Sequence, residues 1–423
     1  MGATPKRTLL VLGHVWPEPQ TTAAGQRMIQ LIQSFQKASY NIYFASSAAP
    51  SDHSLDLIEI GIKTILIRIN DSDFDTMIRE LQPDIVIFDR FMTEEQFGWR
   101  VAEHAPNSLR ILNTEDLHSL RKARREALVS SKECTPAYWL SQKDTLRELA
   151  SILRCDLSFL ISEEELKWLR ETGIISNYLL FYLPFMLGNV NISNTDIYGS
   201  FNDRKNFMFV GHGKHKPNED AVHYLKETIW PLIHSKLPEV RLTIYGDGYS
   251  SNTKKLHDPK TGFYMAGWTE DLQDIMSNAR LNLAPLRFGA GLKGKIVSAI
   301  AAGTPSLMTT IGAEGILPYQ GFDYCIADDP DAFVTKALDL YTNPSASKAA
   351  QSALQAHYNV IFDRERHHLR LHNQLEKAVD SVELNRNSNI VGRMLHSQSL
   401  NSQKYMAKWI EAKNKLEQSG VVQ

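Results

Sequence analysis

The chain has 423 residues, of which 43% are hydrophobic and 22% are charged, the composition of a soluble globular protein long enough for two or three domains. Its 46 lysines and arginines against 48 aspartates and glutamates leave a net charge of −2, so the overall charge favours neither nucleic acid nor a strongly acidic partner. Three scattered cysteines without metal-ligand spacing predict reduced thiols in a cytoplasmic protein, and no apolar run reaches the roughly 18–20 residues of a membrane helix.

Short apolar runs in the first half of the chain predict β-strands. They lie at residues 8–12, 42–45, 64–69, 85–88, 109–112, 157–161 and 179–185. Helical patterns separate them, and alternating strands and helices predict a parallel, doubly wound sheet. The loop at residues 14–27 follows the first strand, at the edge where such sheets bind ligands. Arg27, which starts the next helix, either faces an anion or lies in solvent.

A second polar cluster follows the predicted strand at residues 109–112. Glu115, Asp116 and His118 would bind or polarise a substrate hydroxyl there, with a helix cap and a surface histidine as the alternative. The next helix carries four basic residues, which predict either a peripheral contact with an anionic membrane or an acidic acceptor, or a solvated face. These residues are Arg121, Lys122, Arg124 and Arg125.

The second half of the chain repeats the strand–helix pattern. It follows a stretch at residues 189–203 that is rich in Asn, Ser, Asp and Gly and predicts an interdomain linker. Predicted strands lie at residues 207–211, 242–245, 264–267, 281–286, 306–309 and 323–327. The chain is therefore expected to form two α/β halves of similar size, each beginning with a strand.

The stretch FGAGLKGKIVSAIAAG, at residues 288–303, joins a glycine-rich turn to an apolar helix directly after a predicted strand. This arrangement points backbone N–H groups and a helix N-terminus at an anion. Lys293 and Lys295 lie in the first turn of that helix, where cations oppose the helix dipole unless a phosphate lies between them and the amides. A tight turn before a core helix, with solvated lysines, is the alternative.

Motifs in the second half resemble the nucleotide-binding half of a GT-B glycosyltransferase, specifically glycosyltransferase family 4 (glycosyl transferases group 1). In chain order they are FVG at 209–211, PNEDA at 217–221, IWP at 229–231, IYGDG at 244–248, GW at 267–268, APLRFGAGLKGK at 284–295, AAGTP at 301–305 and GAEG at 312–315. The first half agrees more loosely, through PEPQTTAAGQR, PDIVIFD and TEDLHSLR.

The resemblance implies that two Rossmann-like domains face each other across a cleft and transfer a sugar, with retention, from a nucleotide-linked donor to a glycan, lipid-linked or small-molecule hydroxyl. It implies no metal and no cofactor besides the donor. It gives catalytic roles to Lys295, on the leaving diphosphate, and to His118, facing the donor sugar, with His14 as a weaker rival. The implied donor-binding residues are Gly25, Arg27, Gly211, Lys214, Gly246, Gly289, Ala290, Gly291, Leu292, Lys293, Gly294, Ser298 and Glu314.

Two glutamates that the family often carries align with Ala290 and Ser298, so both carboxylates are missing here. A serine can hydrogen-bond one ribose hydroxyl but cannot make the charge-assisted pair that a carboxylate makes. Glu314 is the predicted substitute. The missing carboxylates keep open a different class of protein, a degenerate GT-B module that binds a sugar nucleotide or a partner without turnover. A sugar-nucleotide epimerase of the GT-B type is a third possibility.

The predicted domains are an acceptor-side domain at residues 1–188, a linker at 189–205 and a nucleotide-sugar-binding domain at 206–360. A terminal helix at 361–382 is expected to cross back to the first domain. Residues 383–423 are expected to form a polar tail with a short helix at 403–416. The predicted location is cytoplasmic, with membrane association on the cytoplasmic face through the basic residues of the first half.

Overall fold

The computed structural model describes residues 6–190, 200–318 and 320–418, without the side chains of residues 398–400 and 418. The chain divides into two compact units. Unit 1 comprises Met1–Ser119, Thr135–Met186 and Glu365–Gln423, and unit 2 comprises Leu120–Cys134 and Leu187–Arg364. The predicted linker falls largely on residues 191–199, which lie outside the described residues.

Unit 1 is built on a seven-stranded parallel sheet in the order β3-β2-β1-β4-β5-β6-β7. The strands are β1 (Thr8–Gly13), β2 (Asn41–Ser46), β3 (Lys63–Leu66), β4 (Ile85–Asp89), β5 (Leu109–Asn113), β6 (Leu157–Leu160) and β7 (Leu180–Tyr182). Leu9 pairs with Ile42 on one side and with Ile85 on the other. The central strands are buried on both faces, as the continuous apolar runs predict.

Helices cover this sheet. They are α1 (Ala23–Lys37), α2 (Asp73–Leu81), α3 (Phe91–His104), α4 (His118–Val129), α5 (Pro136–Leu140), α6 (Lys143–Arg154) and α7 (Glu163–Glu171). Three of them begin with a side-chain cap: the hydroxyls of Thr22, Thr135 and Ser162 accept from the amides of Gly25, Tyr138 and Glu164, respectively. Only His118 and Ser119 of α4 are grouped with unit 1, and the rest of α4 is grouped with unit 2.

Unit 2 contains a five-stranded parallel sheet in the order β10-β9-β8-β11-β12. Its strands are β8 (Lys205–Val210), β9 (Leu242–Tyr245), β10 (Phe263–Gly267), β11 (Ala279–Ala284) and β12 (Ser306–Met308). Its helices are α8 (Lys216–Tyr224), α9 (Trp230–Lys236), α10 (Ser251–Lys254), α11 (Leu272–Asn278), α12 (Gly294–Ala301), α13 (Thr310–Ala313), α14 (Pro330–Thr342) and α15 (Pro344–Ile361). The two Rossmann-like parallel sheets confirm the predicted fold class.

The strand predicted at residues 323–327 is wrong. Asp323–Cys325 forms a short 3-10 turn, and Ile326 makes only an isolated bridge to Met308. The Lys336 ammonium binds the carbonyl oxygens of Asp323 and of Ile326, the latter at 2.7 Å. These carbonyls therefore have a side-chain partner in place of a neighbouring strand.

The C-terminal region forms two long helices, α16 (Arg364–Ser388) and α17 (Ile390–Gln418). Helix α17 is much longer than the short helix predicted at residues 403–416, because its first half packs against the end of α6, where His396 bonds the Arg154 carbonyl at 2.9 Å, and its second half packs against α3. Ala407 is buried against Trp99, Lys404 bonds Glu103 at 2.6 Å, and Arg100 lies 3.7 Å from Glu411.

Arg386 holds α16 to the edge of the unit 1 sheet. Its guanidinium donates two hydrogen bonds of 2.7 Å to the buried Asp156 carboxylate and others to the Pro106 and Ser108 carbonyls. Burial raises the pKa of Asp156, but the hydrogen bonds from Arg386 and the charge of Arg110 outweigh it and lower the pKa below its ordinary value. The carboxylate therefore stabilises the fold above its unfolded-state pKa, and this contribution is lost as the pH falls through the folded-state pKa.

Replacing Arg386 with methionine is expected to lower the free energy of unfolding by about 2–3 kcal/mol, because charge-assisted hydrogen bonds to a buried carboxylate are lost. The loss should be measured by urea denaturation near neutral pH and should shrink at acidic pH, where Asp156 is protonated in both states. The exposed Arg393, on α17, provides the matched control, since its replacement with methionine should change stability by less than about 0.5 kcal/mol. Equal effects of the two substitutions would contradict the role given to Arg386.

Both sheets change their direction of winding at one place. The strand order reverses between β1 and β4 in unit 1 and between β8 and β11 in unit 2. Such a switch point leaves a crevice at the carboxyl ends of the two strands, where open α/β sheets bind ligands. A ligand site is therefore expected in the loops that follow these four strands.

Candidate functional site

The glycine turn of unit 2 follows β11 at this switch point. Gly291 has a φ of +62°, a backbone conformation that favours glycine, and α12 begins at Gly294 without a side-chain cap. Within the described parts of the chain, no residue accepts a hydrogen bond from the amides of Gly289, Ala290, Gly291 or Leu292. Unpaired amides beside a helix N-terminus are the donors that bind phosphate in proteins.

Lys295 brings together the loops that follow β8 and β11. Its ammonium donates to the Asn218 side-chain oxygen and lies 4.4 Å from the centroid of the Phe209 ring. Although the residue keeps some exposed surface, its ammonium is desolvated, and this burial together with the charge of Lys293 lowers the pKa of Lys295 to about 7. The alternative of a solvated lysine is therefore wrong for Lys295. A cation that water does not stabilise gains strongly from a docked anion.

Lys293 is also buried, so the solvated alternative is wrong for it as well. Its ammonium donates to the Gly291 carbonyl at 2.9 Å and lies 3.6 Å from the Glu314 carboxylate. Arg124 of α4 donates to both oxygens of Glu314, at 2.6 and 2.8 Å, and to the Gly289 carbonyl at 2.8 Å. Arg124 and Glu314 are 8% and 6% exposed, so a buried cluster of two cations and one anion supports the back of the turn.

This cluster corrects one expectation. Arg124 is buried and paired within unit 2, so it does not belong to an exposed basic patch with Arg121, Lys122 and Arg125. Both oxygens of Glu314 accept from Arg124, and its role as the substitute for the missing ribose-binding carboxylate stays a prediction. Ser298 in α12 is partly exposed, and its hydroxyl has no hydrogen-bond partner in the described residues.

The remaining predicted residues of unit 2 lie in the loops after β8 and β9. Gly246 has a φ of +125°, and a Cβ there would lie 2.0 Å from the Gly211 carbonyl oxygen, so the two loops approach each other too closely for any side chain. The Gly211 amide donates to Tyr245 at 2.9 Å. Lys214 is exposed on the same loop. The close approach of the two loops explains both glycines, and the exposed Lys214 presents a cation to solvent beside them.

In unit 1, Gly25 and Arg27 are buried parts of the α1 start. The Gly25 amide donates to the Thr22 hydroxyl at 3.0 Å, and a Cβ on Gly25 would lie 2.4 Å from the Glu18 backbone. Arg27 is 0% exposed, so the solvated alternative is wrong. Its guanidinium donates to the Pro184 carbonyl at 2.9 Å and lies 3.8 Å from Glu115, so the anion that it faces belongs to the chain itself.

His118 begins α4 at the carboxyl end of β5. Its Nε2 lies 3.1 Å from Asp116, its backbone amide donates to Glu148 at 3.0 Å, and its ring packs edge-on against Phe91. The ring keeps partial exposure, so one face can reach a ligand. The role given to His118 stays a prediction, as does the alternative of a helix cap and a surface histidine. His14, the rival, follows β1, and burial followed by the positive charge of Arg90 lowers its pKa.

Sequence reasoning did not predict three features around the candidate site residues. Asn218 holds Lys295, Arg124 holds Glu314, and Arg90 lies at the switch point of unit 1. The PN pair of the PNEDA motif was a usable signal for Asn218. No sequence signal indicated the pairing of Arg124, because its partner Glu314 lies 190 residues away. No group of three or more His, Cys, Asp or Glu side chains in the described ranges is arranged to hold a metal ion, and no helix there is long and apolar enough to cross a bilayer.

Comparison with known proteins finds a family match in unit 2 and similar solved structures that cover most of the chain. Residues 204–343 match the family model "Glycosyl transferases group 1". The predicted resemblance to GT-B glycosyltransferases is confirmed. The matched residues contain β8 to β12 and the glycine turn, whereas membership of family 4 specifically stays a prediction.

Solved GT-B structures show the same fold over most of the chain. The Anabaena protein HepE, solved with UDP and glucose, is 12% identical with a TM-score of 0.64, covering 87% of this chain and 99% of HepE. Sucrose-phosphate synthase from Thermosynechococcus elongatus is 13% identical with a TM-score of 0.63, covering 89% of this chain and all of that protein's chain, 100%. At such low identity these matches show the fold alone.

A curated relative is more similar in sequence over a shorter stretch. It is an uncharacterised 44.6 kDa protein in the cps region of Klebsiella pneumoniae, 27% identical over 165 residues. The match covers 36% of this chain and 42% of the relative's length. Because the match covers less than half of either protein, the activity and the substrates of the whole chain are proposed and not inferred from this relative.

Proposed function

We propose that the chain is a glycosyltransferase that transfers a sugar from a nucleotide-sugar donor to a hydroxyl acceptor, with retention at the anomeric carbon and no cofactor besides the donor. The observation that carries this proposal is the convergence of unpaired amides, the α12 N-terminus and the desolvated Lys295 ammonium at the switch point of unit 2. HepE and S. aureus TarM, two structures with the same fold, were solved with UDP, which supports a nucleotide-linked donor.

The glycine turn and Lys295 would stabilise the leaving diphosphate. Charge builds up on that group as the glycosidic bond to the donor breaks, and fixed donors in a dry site stabilise it without reorganisation. The leaving phosphate can itself take the acceptor proton, so no protein nucleophile is required. His118, oriented by Asp116, would bind the donor sugar rather than attack it.

The second candidate is a GT-B module that binds a sugar nucleotide or a partner without turnover. Ala290 and Ser298 stand where the family often has glutamates, and Glu314 is already paired with Arg124 and Lys293. Ribose binding would then rest on the Ser298 hydroxyl alone. Weak or absent turnover with retained nucleotide binding would favour this candidate.

A thermal-shift screen of nucleoside diphosphates and nucleotide sugars tests binding first. A ligand at 100 times its dissociation constant adds roughly 2.7 kcal/mol to the free energy of unfolding, which is readily seen as a raised Tm. The best ligand then enters an assay of sugar release and transfer to hydroxyl acceptors. Turnover supports the enzyme, binding alone supports the module, and the absence of any shift would contradict both.

Binding of a nucleoside diphosphate is expected to depend on pH through Lys295. The pKa of this group is about 7 in the free protein, so its protonated fraction falls as the pH rises through 7. A docked diphosphate raises the pKa, binding takes up a proton, and affinity should fall by up to about tenfold per pH unit above 7. Calorimetry of the best ligand between about pH 7 and 9 should show this slope, and the slope should vanish in Lys295→Ala. An identical slope in the variant would rule out Lys295 as its source.

The acceptor and the location follow from the same proposal. The acceptor, a glycan, a lipid-linked sugar or a small molecule, would bind to unit 1. The proposed location is cytoplasmic. A peripheral contact with an anionic membrane would use Arg121, Lys122 and Arg125 without the buried Arg124.

A further inference from the structure

Two residues with positive φ follow the neighbouring strands β4 and β5 of unit 1, next to the switch point between β1 and β4. Arg90, directly after β4, has a φ of +70° and a ψ of 156°, a region that is essentially restricted to glycine. Glu115, just after β5, has a φ of +61°. The two strands are in register there, with Asp89 beside Asn113, and the Arg90 amide donates to the Asn113 carbonyl at 2.8 Å. Strain of this kind persists where the surrounding structure enforces it, and it concentrates at ligand sites.

The acidic groups around Arg90 already have partners. The Asp89 carboxylate accepts from the His14 amide at 3.2 Å and from the Asn113 side chain at 3.4 Å. Glu115 accepts from the Asn113 side chain at 2.7 Å and lies 3.8 Å from Arg27. Burial raises the pKa of Glu115 to about 7, since desolvation outweighs the nearby Arg27, so much of its charge is neutralised near neutral pH.

The Arg90 guanidinium, in contrast, has no hydrogen bond or ion pair with any other residue that the structure describes, and its Nε is buried. The Thr93 hydroxyl, in the first turn of α3, is likewise buried without a partner, with Thr93 only 2% exposed. His14 lies close enough to Arg90 for the guanidinium charge to disfavour its protonation. Among the described residues, the Arg90 guanidinium and the Thr93 hydroxyl thus lack hydrogen-bond partners just after β4, while the Asp89 and Glu115 carboxylates accept hydrogen bonds and the Arg90 charge partly offsets the rise in the pKa of Glu115.

We propose that Arg90, with His14 beside it, binds a phosphate group of a substrate at the switch point of unit 1. A guanidinium presents a planar pair of N–H donors that matches two phosphate oxygens, and Arg90 keeps part of its surface exposed to receive them. The phosphate belongs either to an acceptor or to the donor. This site adds a phosphate-binding residue to the proposed glycosyltransferase. Only the identity of the substrate rests on the proposed function.

Phosphate binding to the full-length chain tests the site. Inorganic phosphate and glucose 6-phosphate serve as probes, with dissociation constants measured by calorimetry for the wild type, Arg90→Lys and Arg90→Gly. Arg90→Gly should weaken both probes at least tenfold, and Arg90→Lys should weaken them less, because it keeps the charge without the planar pair. Arg68→Gly, which removes a largely exposed cation from unit 1, is the matched control and should bind both probes like the wild type.

The backbone strain at Arg90 allows a phosphate-binding role to be distinguished from a merely structural one. Glycine adopts the backbone conformation of residue 90 without strain, so Arg90→Gly should have a Tm at or above that of the wild type while losing the anion. A lowered Tm in Arg90→Gly, or wild-type phosphate affinity in that variant, would overturn the proposal.

The source of the phosphate is decided by competition. If glucose 6-phosphate binds equally well in the presence of a saturating nucleoside diphosphate, the site serves the acceptor. If the nucleoside diphosphate displaces the probe and is itself weakened by Arg90→Gly, the site serves the donor. Failure to find sugar transfer would leave these binding results intact, so the failure of the proposed function and the failure of this site are distinguishable.

Discussion

Replacing Arg124 with methionine is expected to lower the free energy of unfolding of unit 2 by about 3–5 kcal/mol. The substitution removes both hydrogen bonds to Glu314 and the hydrogen bond to the Gly289 carbonyl. It leaves a 6% exposed carboxylate whose remaining counter-charge among the described residues is Lys293, 3.6 Å away. Breaking one side of a buried ion pair is far more damaging than replacing both sides with apolar groups, because the remaining charge stays desolvated.

The measurement is urea denaturation followed by tryptophan fluorescence, with a double-mutant cycle through Glu314→Met. The double variant is expected to be clearly more stable than the sum of the two single losses predicts. Arg125→Met, on the exposed side of the same helix, is the matched control and should change stability by less than about 0.5 kcal/mol. If Arg124→Met is as mild as Arg125→Met, the buried cluster does not support the glycine turn.

Replacing Lys295 with alanine is expected to weaken binding of the best nucleoside diphosphate by about 10- to 100-fold, since a charge-assisted hydrogen bond is worth about 1.5–3 kcal/mol. The effect comes from a cation that the fold has desolvated beside unpaired amides. Calorimetry at or below neutral pH provides the measurement, because the wild-type ammonium is protonated there. Lys348→Ala, an exposed lysine on α15, is the control and should bind like the wild type.

Stability gives an independent check on Lys295. Its folded-state pKa, about 7, lies below the ordinary value of 10.5, so its charge destabilises the fold below the unfolded-state pKa, most fully below pH 7. Lys295→Met should therefore raise the free energy of unfolding relative to the wild type more at about pH 6 than at about pH 10. A variant that loses both stability and ligand at acidic pH would show that Lys295 has a packing role instead.

Local sequence patterns predicted much of the fold correctly. Continuous apolar runs such as the one in β1 identify strands that are buried on both faces, and glycine-rich punctuation placed the turn before α12. The same reasoning failed at residues 323–327, because a short apolar run does not reveal that Lys336 competes for its carbonyls. It also underestimated α17, whose apolar contacts with α3 join residues some 300 positions apart.

Hydrophobic period and glycine placement act over a few neighbouring residues, so the sequence alone was enough to predict the two α/β units, the order of their strands along the chain and the position of the glycine turn before α12. The folded structure was needed to show which strands lie at each switch point, that Arg124 holds Glu314, that Asn218 holds Lys295, and that Arg90 has a strained backbone and a guanidinium without a hydrogen-bond partner among the described residues. These features depend on burial and on charges that meet across 77 to 190 residues of chain, or on a backbone angle that neighbouring strands enforce. Desolvation strengthens such ion pairs and makes an unpartnered polar group costly, and burial is a property of the folded chain.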